Sequence, residues 1–264
     1  MRDSLLPQMT GSLGRNAGHQ LESALLFELG KTFGKVTIPA KGDCPAKVQP
    51  VEKEMLSLGF VGPVGREALR RRAPLTEEEA VLWMKGAVEE LVAKLHAGKL
   101  EFVAGEHPAF AKGAALEVKL NGKVVGRLGA LSAKLRHPYR LTTQMALCEL
   151  ELKPLLKNYA TVGKVTPVPQ FPSVSRDIAL VAAKEVTNET VVGTIRKNGG
   201  RELTDVRLFD IFKSKDLKDG RRSLAYSLEF RSAEKTLTDE EVGRTFQRIV
   251  EALKATAGIE VREG

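Results

Sequence analysis

The fold of the C-terminal part of this chain is decided by residues 203–230, which read LTDVRLFDIFKSKDLKDGRRSLAYSLEF. Two apolar runs, 206–212 and 223–230, flank a polar loop that carries Asp219-Gly220, a dipeptide typical of tight turns. In the second run every other residue is large and apolar, namely Leu224, Tyr226, Leu228 and Phe230. A period of two predicts antiparallel strands with one face in a core and the other face accessible.

The sequence on both sides of this hairpin predicts the rest of a small module. A strand at 178–181 and a helix from Thr187-Asn188 to Gly199-Gly200 precede it. Thr238 and Glu241 form a capping box at the start of a second helix, and a last strand lies at 259–261. The order strand, helix, strand, strand, helix, strand is that of a split βαβ, or ferredoxin-like, module.

Four motifs in this module share their order with one known family. They are FPSVSRDIAL (171–180), LFDIF (208–212), RSL (222–224) and KTLTDEEV (235–242). The segment resembles the ferredoxin-fold anticodon-binding domain of the bacterial phenylalanyl-tRNA synthetase beta subunit. The resemblance implies that residues 166–264 bind the anticodon of tRNA(Phe).

The preceding residues resemble the catalytic-like module of the same subunit. The motifs are RDSLLP (2–7), LFELGKTF (26–33), WMKGAVE (83–89) and HPAF (107–110). Asn121-Gly122, between two alternating runs, predicts a hairpin. The expected fold class is α+β: a class II synthetase-like antiparallel sheet with helices in residues 1–165, followed by the ferredoxin-like βαββαβ domain.

Anticodon bases are unstacked, so proteins read them by aromatic stacking and by hydrogen bonds to their edges. The resemblance assigns this role to Asp210 and Phe212, with Ser175 and Arg176 as further candidates. The family more often has tyrosine at position 212, and phenylalanine keeps the stacking surface without the hydroxyl group. The residues alone also allow Phe212 to be core at a strand end and Arg176 to form an internal ion pair.

The period of two also predicts the faces of the second strand. Asp210 and Phe212 are expected on one face, opposite Phe209 and Ile211. Basic residues cluster on and around this strand and the next, with acidic residues among them: Arg201, Arg207, Lys213, Lys215, Lys218, Arg221 and Arg222. This cluster predicts either a phosphate-facing patch or a solvated loop of mixed charge.

The module in residues 1–165 lacks the residues that a class II nucleotide site needs. Such a site uses one arginine on a strand and another in a glycine-rich turn, each pairing with phosphate. The first position reads LFEL (26–29), and the second region reads CELELKPLL (148–156), with neither glycine nor arginine. We therefore predict an inactive module with no catalytic residue, no metal ligand and no cofactor of its own. ATP and magnesium are implied for the whole enzyme.

An apolar stripe near the N-terminus is a candidate interface. Leu5, Leu6, Met9 and Leu13 recur at helical spacing. The resemblance implies that this stripe contacts the catalytic alpha subunit and the second beta subunit of a heterotetramer with two copies of each. It is then expected to be exposed when the chain is alone. The alternative is the core face of an ordinary helix.

Composition narrows the possible classes of protein. The net charge is +8, of which residues 171–264 contribute only +1, so bulk charge does not mark the predicted RNA-binding domain. No apolar run is long enough for a membrane span and no signal peptide is evident, which predicts a soluble, cytoplasmic protein without membrane contact. The two cysteines lie far apart in sequence, which argues against a zinc site or a disulfide framework.

The sequence is thus interpreted as the C-terminal part of a phenylalanine-tRNA ligase beta subunit. Because the family's beta subunit is far longer, we expect a fragment rather than a complete subunit. One alternative is a free-standing RNA-binding paralogue without a ligase role. A small-molecule sensor on the ferredoxin-like module ranks lower, because the turn at 183–189 lacks the glycine that such sensors use.

Overall fold

The computed structural model describes residues 1–18, 23–38, 47–64, 74–157, 159, 168–212 and 220–262. The chain forms two units, Met1–Gly163 and Lys164–Gly264. The predicted boundary after residue 165 falls outside the described residues. Both units combine helices with antiparallel sheet, so the predicted α+β class is confirmed. Within the described ranges, no helix is long and apolar enough to cross a membrane.

The first unit is built on one six-stranded antiparallel sheet in the order β1-β2-β6-β5-β4-β3. Its elements are α1 (Leu6–Gly18), β1 (Ala24–Ile38), β2 (Lys47–Val61), α2 (Glu77–Lys94), β3 (Leu100–Ala104), β4 (Phe110–Leu120), β5 (Lys123–Leu131), α3 (Ala133–Arg136), a 3-10 turn (His137–Tyr139), β6 (Met145–Glu151) and α4 (Leu152–Leu156). The predicted hairpin at Asn121-Gly122 joins β4 to β5. Both turn residues have positive φ, 51° and 78°, as a tight two-residue hairpin turn requires.

Helices pack on both faces of this sheet. The helix α2 starts at a capping box formed by Thr76 and Glu79 and buries its apolar side against one face. The helix α1 packs on the opposite face. Gly59 of β2 lets α1 approach closely, because an added Cβ atom would lie 2.7 Å from Leu13 and 2.8 Å from Met9. The sheet is therefore the middle layer of the first unit.

The second unit is a four-stranded antiparallel sheet in the order β10-β7-β9-β8. Its elements are β7 (Val174–Ala182), α5 (Asn188–Gly199), β8 (Leu203–Phe212), β9 (Arg222–Phe230), α6 (Asp239–Lys254) and β10 (Ile259–Arg262). The predicted ferredoxin-like arrangement is confirmed. The caps Thr187 and Thr238 also start α5 and α6, each by accepting a hydrogen bond from a backbone N–H three residues later.

Both helices of the second unit pack on the same face of its sheet. Tyr226, Leu228 and Phe230 of β9 are fully buried there, together with Ile195 of α5 and Leu253 of α6. The residues between them in β9 are Ser223, Ala225, Ser227 and Glu229, and they point away from the helices. Among the described residues of this unit, no helix covers that second side, which we call the open face.

Candidate nucleic-acid interface

The register of the second sheet arranges the open face in rows. Asp210 of β8 lies opposite Ala225, and Phe212 lies opposite Ser223. Arg207 lies one row further along, opposite Ser227. Asp210 and Phe212 are both exposed on the open face, Phe212 at 57% of its full surface. The structure therefore brings together two of the predicted base-contacting residues, next to small side chains that leave the backbone accessible.

A β-bulge changes the expected position of Phe209. Leu208 lies opposite Tyr226 and Asp210 lies opposite Ala225, so Phe209 is an extra residue without a partner in β9. Leu208 faces the core, so Phe209 and Asp210 both point to the open face. The prediction that Phe209 lies opposite Asp210 is wrong, because the inserted residue shifts the period of two. Phe209 is 49% exposed.

The other two predicted residues lie elsewhere on β7. Ser175 is on the open face, but its partner is Glu229, two rows from the row of Asp210. This offset is about 13 Å along the strand direction at ~3.3 Å per residue, and β9 lies between the two strands. Arg176 lies opposite Leu228, on the side of the helices, and its guanidinium group binds the Asp239 carboxylate at 2.6 Å. Arg176 therefore stabilises the start of α6 and does not lie on the open face.

Charges of both signs surround the aromatic residues of the open face. Arg207 of β8, Asp177 of β7 and Arg262 of β10 form no ion pair with another described residue, whereas Arg221 pairs with Glu260 at 2.5 Å. The predicted basic residues at positions 213, 215 and 218 lie outside the described residues. Among the described residues, the open face thus offers single cationic groups for phosphate contacts.

The predicted interface stripe of the first unit is buried inside that unit. Leu5, Leu6, Met9 and Leu13 are at most 3% exposed, and three of them pack with Val61 and Leu147 of the sheet. The expectation that this stripe is exposed is wrong. An amphipathic helix has the same spacing whether its apolar side packs on its own sheet or on a partner, so the spacing could not separate these cases.

A class II nucleotide site would have its two arginines in segments 26–29 and 148–156. In this structure, residues of these segments make other contacts. Glu28 of β1 binds Arg2 at 2.8 Å. Glu149 of β6 is buried and accepts hydrogen bonds from the Ser4 hydroxyl at 3.0 Å and from the Leu5 backbone N–H at 2.5 Å. These carboxylates hold the segment that leads into α1. The residues present at these two positions therefore do not fit the phosphates of ATP.

Other polar groups of the first unit are also structural. The Nδ1 atom of His107 accepts a hydrogen bond from the Ala109 N–H at 3.3 Å, and its ring contacts that of Phe110. Partial burial, followed by the charge of Arg127, lowers the pKa of His107. Across the described part of the chain, no cluster of three histidine, cysteine or carboxylate side chains could hold a metal ion.

The sequence analysis missed an apolar groove in the first unit. It lies between β1 and α2, where Leu25 and Phe27 are 68% and 72% exposed and face Leu82 and Trp83. The groove has a volume of about 780 Å³, and its charged lining residues are Glu79 and Glu90. We call it the β1–α2 groove. The run LLFEL gave a signal for it, because a strand at the edge of a sheet rarely needs large apolar residues on both faces.

Comparisons with known proteins assign both units. Residues 169–262 match the family model described as ferredoxin-fold anticodon binding domain. Residues 1–152 match the model described as phenylalanyl tRNA synthetase beta chain CLM domain.

Similar proteins include phenylalanine–tRNA ligase beta subunits from three bacteria. The identity is 33% for Clostridium tetani, 34% for Symbiobacterium thermophilum and 32% for Bacillus subtilis. These matches cover 99%, 99% and 97% of this chain and 30%, 28% and 30% of the relatives, so the chain spans less than a third of their length.

Among solved structures, the pyrrolysyl-tRNA synthetase of Desulfitobacterium hafniense matches with a TM-score of 0.42 and 16% identity, over 59% of this chain and 48% of that one. Together the two family models cover residues 1–152 of the first unit and 169–262 of the second. The chain belongs to the phenylalanyl-tRNA synthetase beta chain family.

Proposed function

We propose that this chain contributes two activities to a phenylalanine–tRNA ligase: the second unit binds the anticodon of tRNA(Phe), and the first unit assembles with the catalytic alpha subunit. The whole enzyme would join phenylalanine to its tRNA with ATP and magnesium, in a complex of two alpha and two beta subunits. The chain itself would have no active site. Its cytoplasmic location stays a prediction.

The observation that carries the RNA proposal is the exposed pair Asp210 and Phe212 on the open face of an anticodon-binding domain. A phenylalanine ring stacks on any unstacked base and stabilises binding by about 1–3 kcal/mol. The carboxylate beside it accepts hydrogen bonds from amino or imino groups, which differ between bases. Stacking would thus supply affinity, and Asp210 would supply base preference.

Binding of anticodon stem-loops tests this proposal. The full chain is titrated with a stem-loop that carries the phenylalanine anticodon and with one that has altered anticodon bases. Phe212→Ala should weaken binding of the cognate stem-loop by roughly 5-fold to 100-fold. Asp210→Ala should reduce the preference for the cognate bases by about 5-fold or more.

The matched control is Ile211→Ala. Ile211 is 51% exposed on the same strand but lies opposite Leu224, on the other face. Its replacement should change affinity by less than about 2-fold, since no base contact is removed. If Asp210→Ala and Phe212→Ala both leave the discrimination unchanged, these residues do not read the anticodon.

The β1–α2 groove supports the assembly proposal. Exposed apolar surface of this kind marks contact sites for other proteins, and the relatives are named as beta subunits, which implies a second kind of subunit. We assign this groove, instead of the buried α1 stripe, to the alpha subunit.

Copurification with a tagged alpha subunit tests the groove. Phe27→Asp should abolish copurification, because it places a charge in an apolar contact. The control Val36→Asp alters another exposed apolar residue of β1 outside the groove lining and should have no effect. If Phe27→Asp associates as the unaltered chain does, the groove is not the contact. If the unaltered chain does not associate at all, the free-standing RNA-binding alternative gains support.

A further inference from the structure

The β-bulge in β8 puts a second exposed aromatic ring on the open face. Phe209 and Phe212 are 49% and 57% exposed, whereas Ile211 between them faces the helix side. The one aromatic ring pair among the described residues is His107 with Phe110, so Phe209 stacks on no other described ring. Two large aromatic side chains exposed on one surface favour a binding role, because water contact with them is unfavourable.

Phe209 and Phe212 are separated along β8. They are three residues apart, and because the bulge adds a residue without a partner, their separation is less than the roughly 10 Å that ~3.3 Å per residue would give. Two exposed rings on one face of a strand can each stack on a different base of a single strand. The open face therefore has two separate stacking surfaces.

A cleft of about 600 Å³ extends from Phe209 across the sheet to its other edge. There it continues onto the helix side, where its lining residues are Ile178, Val261, Phe246, Gln247, Val250 and Lys254. Its walls on the open face include Ala225 of β9, Asp177 and Ala179 of β7, and Arg262 of β10. The register places Ala225 opposite Ala179, and Arg262 opposite Ala179 on the other side, so these residues form one row. Part of this volume lies beside α6, and the rest lies over the open face, where the small side chains of Ala179 and Ala225 leave space above the sheet.

The charged walls of the cleft supply the remaining chemistry of a nucleotide site. Asp177 and Arg262 are exposed, and neither forms an ion pair with another described residue. A guanidinium group binds phosphate through charge-assisted hydrogen bonds, and a carboxylate accepts hydrogen bonds from the amino or imino groups of a base. A ring, a cation and an acceptor around one cleft match the base, the phosphate and the base edge of a single nucleotide.

We propose that the Phe209 cleft binds a second unstacked nucleobase, adjacent in the RNA to the base that Phe212 contacts. Phe209 stacks on this base, Arg262 binds its phosphate and Asp177 accepts a hydrogen bond from its edge. This inference rests on the proposed function of the second unit and adds a second base subsite to the open face.

Stem-loops that each lack one anticodon base test the two-base arrangement. The full chain, Phe209→Ala and Phe212→Ala are titrated with the intact stem-loop and with each abasic version. Phe209→Ala should weaken binding of the intact stem-loop by roughly 5-fold to 100-fold. The effect of Phe209→Ala should vanish with one abasic stem-loop, and that of Phe212→Ala with a different, adjacent one. If the same missing base removes both effects, the second subsite is wrong.

Two further variants distinguish a failure of the cleft proposal from a failure of the proposed anticodon binding. Arg262→Gln should lower the slope of log affinity against log salt concentration by about 0.7, as loss of one phosphate contact on a single strand does. Phe209→Leu keeps an apolar side chain but removes the ring, and should weaken binding nearly as much as Phe209→Ala. If Phe212→Ala weakens binding while Phe209→Ala and Arg262→Gln change nothing, the cleft is not a subsite and the proposed function stands. If no variant of the open face has an effect, both the cleft subsite and the proposed anticodon binding are wrong.

Discussion

The two sheets of this chain differ in what they leave uncovered. In the first unit, α1 and α2 pack on opposite faces, and the uncovered part is the apolar β1–α2 groove. In the second unit, α5 and α6 share one face, and the open face carries aromatic rings beside charged groups. Burial against protein suits the first surface, and contact with nucleotides suits the second. This difference in surface chemistry supports our proposal that the two units bind different kinds of partner.

The largest expected effect concerns the core that supports the open face. Phe230 is fully buried, and Phe230→Ala should lower the free energy of unfolding of the second unit by about 3–5 kcal/mol. Trp83, the single tryptophan, lies in the first unit, so its fluorescence follows that unit, whereas far-ultraviolet circular dichroism follows both. In urea, the dichroism transition of the second unit should shift and the fluorescence midpoint should not. An equal shift in both signals would contradict two separate units.

A matched pair of leucines tests the contrast between the buried α1 helix and the exposed β1–α2 groove of the first unit. Leu13 of α1 is fully buried, so Leu13→Ala should lower the free energy of unfolding by about 2–5 kcal/mol. Leu25 of the groove is exposed, and Leu25→Ala should change the free energy of unfolding by less than about 0.5 kcal/mol. Urea unfolding followed by Trp83 fluorescence measures both. A small effect of Leu13→Ala would show that α1 does not pack on the sheet as described.

A smaller effect concerns the hydrogen bond that joins β9 to α5. The Tyr226 hydroxyl donates to Oδ1 of Asn188 at 2.7 Å, and Tyr226→Phe should cost about 1 kcal/mol at neutral pH. Burial raises the pKa of Tyr226 to about 12, although the charge of Arg222 acts in the opposite direction. Because the unfolded chain releases this proton near pH 10 and the folded chain near pH 12, stability falls as pH rises between these values.

Urea midpoints measured at pH 8, 10 and 11.5 test this dependence. The difference in unfolding free energy between the unaltered chain and Tyr226→Phe should shrink as pH rises above about 10, since the tyrosine-linked part is lost. A constant difference across these pH values would mean that Tyr226 titrates alike in the folded and unfolded states.

Local sequence signals predicted most of the fold. The capping box Thr238–Glu241 starts the helix α6, and Asn121-Gly122 forms the turn between β4 and β5. These features depend on residues close in sequence, so their chemistry is visible without coordinates. The alternation in β9 also identified the buried and open faces of the second sheet.

The site was predicted less completely because it depends on contacts across strands. The bulge at Phe209 arises from pairing with β9 and breaks the period of two that the sequence analysis assumed. The ion pair between Arg176 and Asp239 joins residues 63 positions apart, so only the structure separates it from a base contact. The core position of the α1 stripe likewise depends on where the sheet lies.

Side-chain methyl spectra measure directly whether the open face binds the anticodon. Ala179 and Ala225 lie opposite each other on the open face, whereas Ile195 and Leu253 lie on the helix side of the sheet. On addition of the phenylalanine anticodon stem-loop, the methyl resonances of Ala179 and Ala225 should shift strongly and those of Ile195 and Leu253 should barely change. Shifts confined to the helix side or to the first unit would contradict anticodon binding on the open face.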